Sequence, residues 1–379
     1  IYGETEFSYA YGAAGGTIGT GAGALIALLF FILLLFLYGL DAPAAMTGRE
    51  ALTERGRGRR TRRQESYGHI AKVLIATLVP ILISSCVYNI STVLDDFIFS
   101  NVMNAIGMGS SVVLLWGVFG EYRILFNVPV AMANSLSSSV IPSLTNAVAE
   151  RDRKLVVSKI RMSIRFTMLI AIPATVGMMV LAKPICDLLF NSEDNATLIR
   201  VVMLGAIAVV FFSLSTITNG ILQGLGHLSE PLRNSAISLV LHVGILLFLL
   251  YVPKLGIYAV ILANIFFALI VCVLNAICIH RHVRYRQNAK KTYILPAIAS
   301  AIMGVVTWGV YRLMTFLLPA GLQSGRLGLG IIVAVCMAVA LVVYFISLML
   351  LRPFNKSELL QMPMGARIYR LARRVGLMQ

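Results

Sequence analysis

The chain has 379 residues, of which 58% are hydrophobic and only 13% charged. A soluble domain carries about 25% charged residues, so this composition leaves too little polar surface to cover a water-soluble globule. It excludes a soluble enzyme, a nucleic-acid-binding domain and a disordered chain, and leaves an integral membrane protein. The formal charge of +16, from 32 Lys and Arg against 16 Asp and Glu, then bears on topology, because membrane proteins collect basic residues in cytoplasmic loops.

A hydrocarbon core about 30 Å thick needs roughly 20 apolar residues per helical span. Runs that meet or approach this length lie at about 12–39, 70–99, 124–148, 166–189, 199–222, 235–253, 256–280, 292–317 and 327–351, which predicts about nine transmembrane helices. They must be helices, since unpaired backbone does not cross hydrocarbon and the alternation of a barrel strand is absent. The expected fold class is therefore an all-α integral membrane protein.

The chain opens on Ile1, with no Met and no charged segment before its first apolar run, and reads as a piece of a longer chain lacking its N-terminal part. Run 12–39 begins with glycines at 12, 15, 16, 19, 21 and 23. No strand precedes them and no phosphate-binding side chains follow, so they are not a nucleotide loop. The pairs Gly12/Gly16, Gly15/Gly19 and Gly19/Gly23 have the spacing that lets helix backbones approach closely. Residues 40–69 carry seven arginines, Arg49 and six between Arg55 and Arg63, and read as a basic cytoplasmic connector or a lipid-headgroup contact.

Polar residues inside a membrane are costly and tend to mark a substrate path. In 70–99, Ser85, Asn89, Thr92 and Asp96 fall on one helical face, with Asp95 adjacent. Both aspartates lie near the extracytoplasmic end, where simple solvation also accounts for them; Asp96 is the better cavity candidate. In 124–148, Arg123, Asn127, Asn134, Ser138 and Thr145 share a narrow arc, and Ser135 to Ser139 adds hydroxyls. Arg123 reads either as an interfacial ion pair with Asp96 or Glu121, or as the anion ligand of a wet cavity. A guanidinium stays charged and grips phosphate bidentately. Pro129, Pro142, Pro173, Pro184 and Pro296 interrupt helical runs, which suits a moving transporter without requiring one.

Elsewhere the chemistry is sparse. His242 reads as a satisfied buried histidine or a proton relay, and His280 and His282 as solvated loop residues. The five cysteines have no metal-ligand spacing, and no cofactor or metal is expected. Asn195-Ala-Thr197 matches a weak glycosylation motif. After Pro353 the tail, 352–379, sets Ile368, Leu371, Ala372 and Val375 against Arg367, Arg370, Arg373 and Arg374, as an interfacial helix or as a basic tail enforcing topology. If all nine runs span, one side of the membrane receives 25 Lys and Arg and the other three. That asymmetry places the C-terminus in the cytoplasm.

The order of segments is familiar. Arg123-Ile-Leu-Phe-Asn-Val-Pro129 is followed by Ala133-Asn-Ser-Leu-Ser-Ser-Ser-Val-Ile-Pro142 and then by Ala171-Ile-Pro-Ala-Thr-Val-Gly177. Ala182-Lys-Pro-Ile-Cys-Asp-Leu-Leu-Phe190 and Asn219-Gly-Ile-Leu-Gln-Gly-Leu-Gly-His227 complete the series. The chain resembles the polysaccharide biosynthesis and stage V sporulation protein B branch of the multidrug/oligosaccharidyl-lipid/polysaccharide (MOP) exporter superfamily. The resemblance implies a MATE/MOP-like flippase of two six-helix lobes, often with two extra helices. Residues 1–39 then hold the last helix of the first lobe, 40–69 the inter-lobe linker, 70–280 one complete six-helix lobe and 281–351 two C-terminal helices, with about five N-terminal helices missing. In related lipid II flippases an arginine of the corresponding second-lobe helix faces the cavity and serves the substrate's diphosphate. Arg123 falls near that position, with its spacing to Pro129 one residue longer.

The resemblance implies a non-enzymatic, monomeric transporter of the bacterial plasma membrane. Its partner is a lipid-linked oligosaccharide of the undecaprenyl diphosphate type amid membrane lipids, with no nucleic acid. The expected substrate-binding residues are Arg123, Asn127, Asn134, Asn89 and Asp96. The alternatives are a multidrug cation antiporter of the same fold and a non-transporting subunit of cell-wall or spore-coat assembly.

Overall fold

The computed structural model describes residues 18, 19, 21–23, 25–30, 32 and 33, then 67–190, 194–285, 287–317 and 325–351. The chain divides into two compact units, 1–69 and 70–379. In the first, Gly21–Phe30 forms an apolar helical stretch within the expected run 12–39. Apart from residues 18, 19, 32 and 33, the rest of that run lies outside the described residues, as do the arginines of the connector and the whole tail 352–379.

In the second unit the described elements are all helical. They are α1 (Tyr67–Ala105), a 3-10 turn (Gly109–Ser111), α2 (Val112–Ala149), α3 (Arg153–Val180), α4 (Ala182–Leu189), α5 (Asn195–Gly224), α6 (Ser229–Tyr251), α7 (Ile257–Val283), a π turn (Lys290–Ile294), α8 (Leu295–Leu317) and α9 (Arg326–Leu351). Seven helices among the described residues are long and apolar enough to cross a bilayer. The two other expected spans are run 12–39 and α1, whose side chains are only partly described before Asn89.

Two boundaries differ from the hydropathy reading. Residues 100–123, expected as an external loop, are mostly helix: α1 continues to Ala105 and α2 starts at Val112. The chain reverses at Gly107, whose φ of +81° lets Met108 N–H reach the Met103 carbonyl (2.9 Å), a cap that favours glycine. Phe99, Met103, Val118 and Phe119, on either side of that turn, are buried and hold both helix ends in the core. The run 166–189 is broken at Leu181 into α3 and α4. Pro184 explains the break: in a continuous helix its ring would collide with the carbonyl of Val180, four residues earlier. Pro129, Pro142 and Pro173 leave their helices continuous.

Helix α5 is the hub, touching α2, α3, α4, α6 and α7. Glycines make the close approach to α2 possible. A Cβ on Gly205 would sit 2.4 Å from the Tyr122 ring, and one on Gly220 would sit 2.0 Å from Ser137 Oγ. Hydroxyls then fix the register: Tyr122 donates to the Gly205 carbonyl (3.0 Å), Ser137 to Thr216 (3.1 Å) and Thr145 to Gly224 (3.3 Å). Helices α8 and α9 pair with each other and lean on α3, where Tyr344 donates to the Leu169 carbonyl (2.8 Å). The outward faces carry exposed Val113, Val240, Val305 and Leu327, the surface expected of helices solvated by lipid.

Candidate functional site

A cavity of about 560 Å³ runs along the polar face of α2. Its most separated lining residues on that helix, Phe119 and Ile141, are 22 positions apart, about 33 Å at 1.5 Å per residue. Across from α2, helix α1 supplies Asn89, Thr92 and Asp95, helix α5 supplies Thr216, Asn219 and Gln223, and α7 supplies Asn264. A ladder of rings through Phe99, Trp116, Phe119, Tyr122, Phe126, Phe212, Phe267 and His242, with neighbouring centroids 5.0 to 6.3 Å apart, stiffens the wall.

Four of the five residues expected from the sequence, Asn89, Arg123, Asn127 and Asn134, meet on this cavity. The fifth, Asp96, lines a smaller recess of about 240 Å³ beside it, shared with Thr92 and Arg123. Arg123 therefore stands between the two spaces. Neither expected partner neutralises it: among the described residues its guanidinium makes no hydrogen bond and no ion pair within 4 Å. Asp96 is exposed and accepts from Ser100 (3.4 Å). Glu121 acts electrostatically on Cys186 of α4 and has one buried carboxylate oxygen without a hydrogen-bond partner. The hydroxyls of Ser135, Ser138 and Ser139 mostly bond back to their own helix, at 3.1, 3.0 and 2.8 Å.

Asp95, the aspartate ranked lower from the sequence, is the buried one. Its side chain is 1% exposed, and His242 Nε2, 0% exposed, lies 2.6 Å from Oδ1. Asn264 donates to Oδ2 at 2.8 Å and to the Val260 carbonyl at 2.9 Å. One carboxylate thus ties α1, α6 and α7 together at the edge of the cavity. Simple solvation does not describe it, and His242 is the buried, hydrogen-bonded histidine that was one of its two readings. A second buried network joins Asn234 to Asn275 (2.9 Å), and Asn275 to Thr218 (2.9 Å) and to the cavity residue Asn219 (2.8 Å). Asn264 is a single amide in a long apolar run with no periodic companion, whereas Thr216, Asn219 and Gln223 share one face of α5 and do carry the periodic signal that could have found them. His282 is exposed, as expected from the sequence, and its Nε2 also lies 2.8 Å from Glu230 Oε1.

These features define a class: a helical membrane protein whose bundle encloses an elongated polar cavity with a cation at its rim. Residues 5–322 match the family model described as lipid II flippase MurJ, and the chain belongs to that family. It is 26% identical over 368 residues to the uncharacterized membrane protein YabM of Bacillus subtilis (strain 168), covering 97% of this chain and 64% of that protein. It is 21% identical over 244 residues to stage V sporulation protein B of the same organism, covering 64% of this chain and 45% of the relative. The chain thus spans less than two thirds of the length of these relatives. A solved structure titled lipid II flippase MurJ, inward closed conformation, superposes with a TM-score of 0.51 at 18% identity, over 74% of this chain and 54% of that one, which shows the shared fold. The resemblance read from the ordered segments is thereby upheld at the level of family and fold.

Proposed function

We propose that the protein takes part in moving a lipid-linked oligosaccharide or peptidoglycan precursor across the plasma membrane, without making or breaking a bond. The anionic head group enters the cavity and the lipid tail stays in the bilayer. The observation that carries this reading is Arg123, a cation without an ion-pair partner among the described residues, set on a polar cavity inside an apolar bundle. A guanidinium presents paired donors to a diphosphate, and the low-dielectric surroundings strengthen that attraction. Asn89, Asn127 and Asn134 offer neutral amides that hydrogen-bond sugar hydroxyls or phosphate oxygens without fixing a charge. Asp96, in the adjoining recess with Arg123, offers a carboxylate acceptor to sugar hydroxyls at the rim. Alternation between inward- and outward-open states exposes the cavity to each side in turn, with the C-terminus in the cytoplasm. The undecaprenyl carrier and a monomeric working unit belong to this proposal, as does the assignment of 70–280 as one lobe with 281–351 appended.

The test is made on the gene in its own host. Arg123→Ala is expected to trap the lipid-linked precursor on the cytoplasmic leaflet, and Arg123→Lys, which keeps charge but loses the fork, to trap an intermediate amount. A normal leaflet distribution in Arg123→Ala cells that make the protein at wild-type level overturns the anion-site reading. Depletion of the whole protein that leaves the precursor distribution normal and brings new sensitivity to cationic drugs favours the antiporter instead.

A further inference from the structure

Away from the cavity, one loop and two helix ends bring His227 and Glu230, three residues apart, together with His282, more than fifty residues further on. Helix α5 closes on Gly226 (φ +85°), with Gly226 N–H bonded to the Gln223 carbonyl (2.9 Å) and His227 N–H to Leu222 (2.9 Å). This glycine-dependent cap fixes where His227 points. Glu230 follows in the first turn of α6, and His282 lies in the last turn of α7, which ends at a left-handed Arg284 (φ +50°). One potential ligand atom from each of His227, Glu230 and His282 lies within 4.8 Å of the other two. The His227 and His282 rings stack with centroids 3.6 Å apart, inclined by 19°. His282 Nε2 uses one Glu230 oxygen, at 2.8 Å, and the other oxygen is turned away from solvent.

We propose that His227, Glu230 and His282 form a binding site for a late first-row divalent metal ion, with Zn2+ the best match. Two imidazoles and one carboxylate are the donor set of three-ligand zinc sites that leave a fourth position to water. Glu230 keeps one carboxylate oxygen turned from solvent with only the weak Cys278 thiol near it, an acceptor that a cation would satisfy better. The selection is for a transition metal rather than Mg2+ or Ca2+: imidazole suits zinc, cobalt and nickel, whereas the hard cations need mostly oxygen ligands. The Cys278 thiol, one helical turn before His282, reaches the same carboxylate. A bound metal staples the α5–α6 turn to the end of α7, joining three helices at one end of the bundle.

The experiment uses the intact chain, purified in detergent with no histidine tag and stripped with chelator, then titrated with Co2+ and competed with Zn2+. One equivalent of Co2+ is expected to bind with the visible absorption of a four- or five-coordinate site, and Zn2+ to displace it. His227→Ala and His282→Ala are expected to weaken Zn2+ binding more than tenfold. Glu230→Gln, which preserves shape should the alanine variants fold poorly, is expected to do the same. His280→Ala, on the same helix end but bonded through Nδ1 to the Tyr285 carbonyl (3.0 Å), should bind within about twofold of the parent. Failure to bind one equivalent, or equal affinity in the Glu230→Gln chain and the parent, overturns the assignment.

Discussion

Replacing Asp95 by alanine removes the one carboxylate that accepts from both α6 and α7. Two estimates of the cost compete. Neutral hydrogen bonds between transmembrane helices average only about 0.6 kcal/mol, so losing those from His242 and Asn264 as ordinary bonds would cost about 1 kcal/mol. Truncating one member of a buried, charge-assisted pair costs about 3–5 kcal/mol, because the remaining partner keeps its desolvation penalty. The geometry favours the larger figure. The Asp95–His242 contact is 2.6 Å with side chains 1% and 0% exposed. Alanine at 95 therefore strands an imidazole that cannot reach water. Asp95→Asn keeps the volume and the bond to Asn264 at the expense of charge, and should cost about 1.5–3 kcal/mol. Replacing both partners, Asp95→Leu with His242→Leu, should recover much of the loss, as is common when a buried pair gives way to apolar groups. Equilibrium unfolding in mixed micelles, read as a double-mutant cycle, measures each corner. A cost of about 1 kcal/mol or less for Asp95→Ala, or no coupling between positions 95 and 242, would show that the pair is an ordinary interhelical contact.

Other expectations follow from local geometry. Gly205→Ala drives a methyl group into the buried Tyr122 ring at 2.4 Å and should cost about 1–3 kcal/mol; Tyr122→Ala in the same chain should relieve most of that clash. Gly244→Ala, where a Cβ meets nothing within 4 Å among the described residues, should instead stabilise α6 by up to about 1 kcal/mol, so unfolding of the two variants should shift in opposite directions. At the start of α5, Asp194 accepts from Thr197 N–H (3.1 Å), and hydrogen bonds from Thr197 hold its carboxyl below the usual range. A depressed carboxylate stabilises the fold above the unfolded pKa near about 4, and that stability is lost as pH falls through the folded value. Asp194→Ala should accordingly lower the unfolding temperature at pH 7, by about 1 kcal/mol of cap energy, and the difference should shrink in scans approaching pH 3. An equal deficit at both pH values would refute the linkage.

Composition alone placed this chain in a membrane, because 13% charge cannot clothe a soluble globule of 379 residues. Hydropathy located the spans, since lipid imposes a length that a local sum detects. Periodicity also brought out Asn89, Arg123, Asn127 and Asn134, because regularly spaced polar residues on an otherwise apolar helix leave few arrangements open. The turn at Gly107 was less visible, because it depends on backbone geometry within a stretch of unremarkable hydropathy. Pro184 marked the break at Leu181, but sequence did not say that it would end its helix while Pro129, Pro142 and Pro173 would not.

Which of two adjacent aspartates turns inward was beyond any local reading. Asp95 and Asp96 differ by about 100° around the helix, and lipid and protein interior are equally apolar, so hydropathy does not say which side faces neighbouring helices. The decision came from His242 and Asn264, 147 and 169 residues further along the chain. Bringing His227, Glu230 and His282 together required the same folding step, the return of α7 against the α5–α6 turn. Sequence by itself determined the solvent, the helices and one polar stripe, because these are properties of single segments. Tertiary structure decided the buried pairs and the glycine-mediated register of α2 on α5, because each exists only once two distant helices meet.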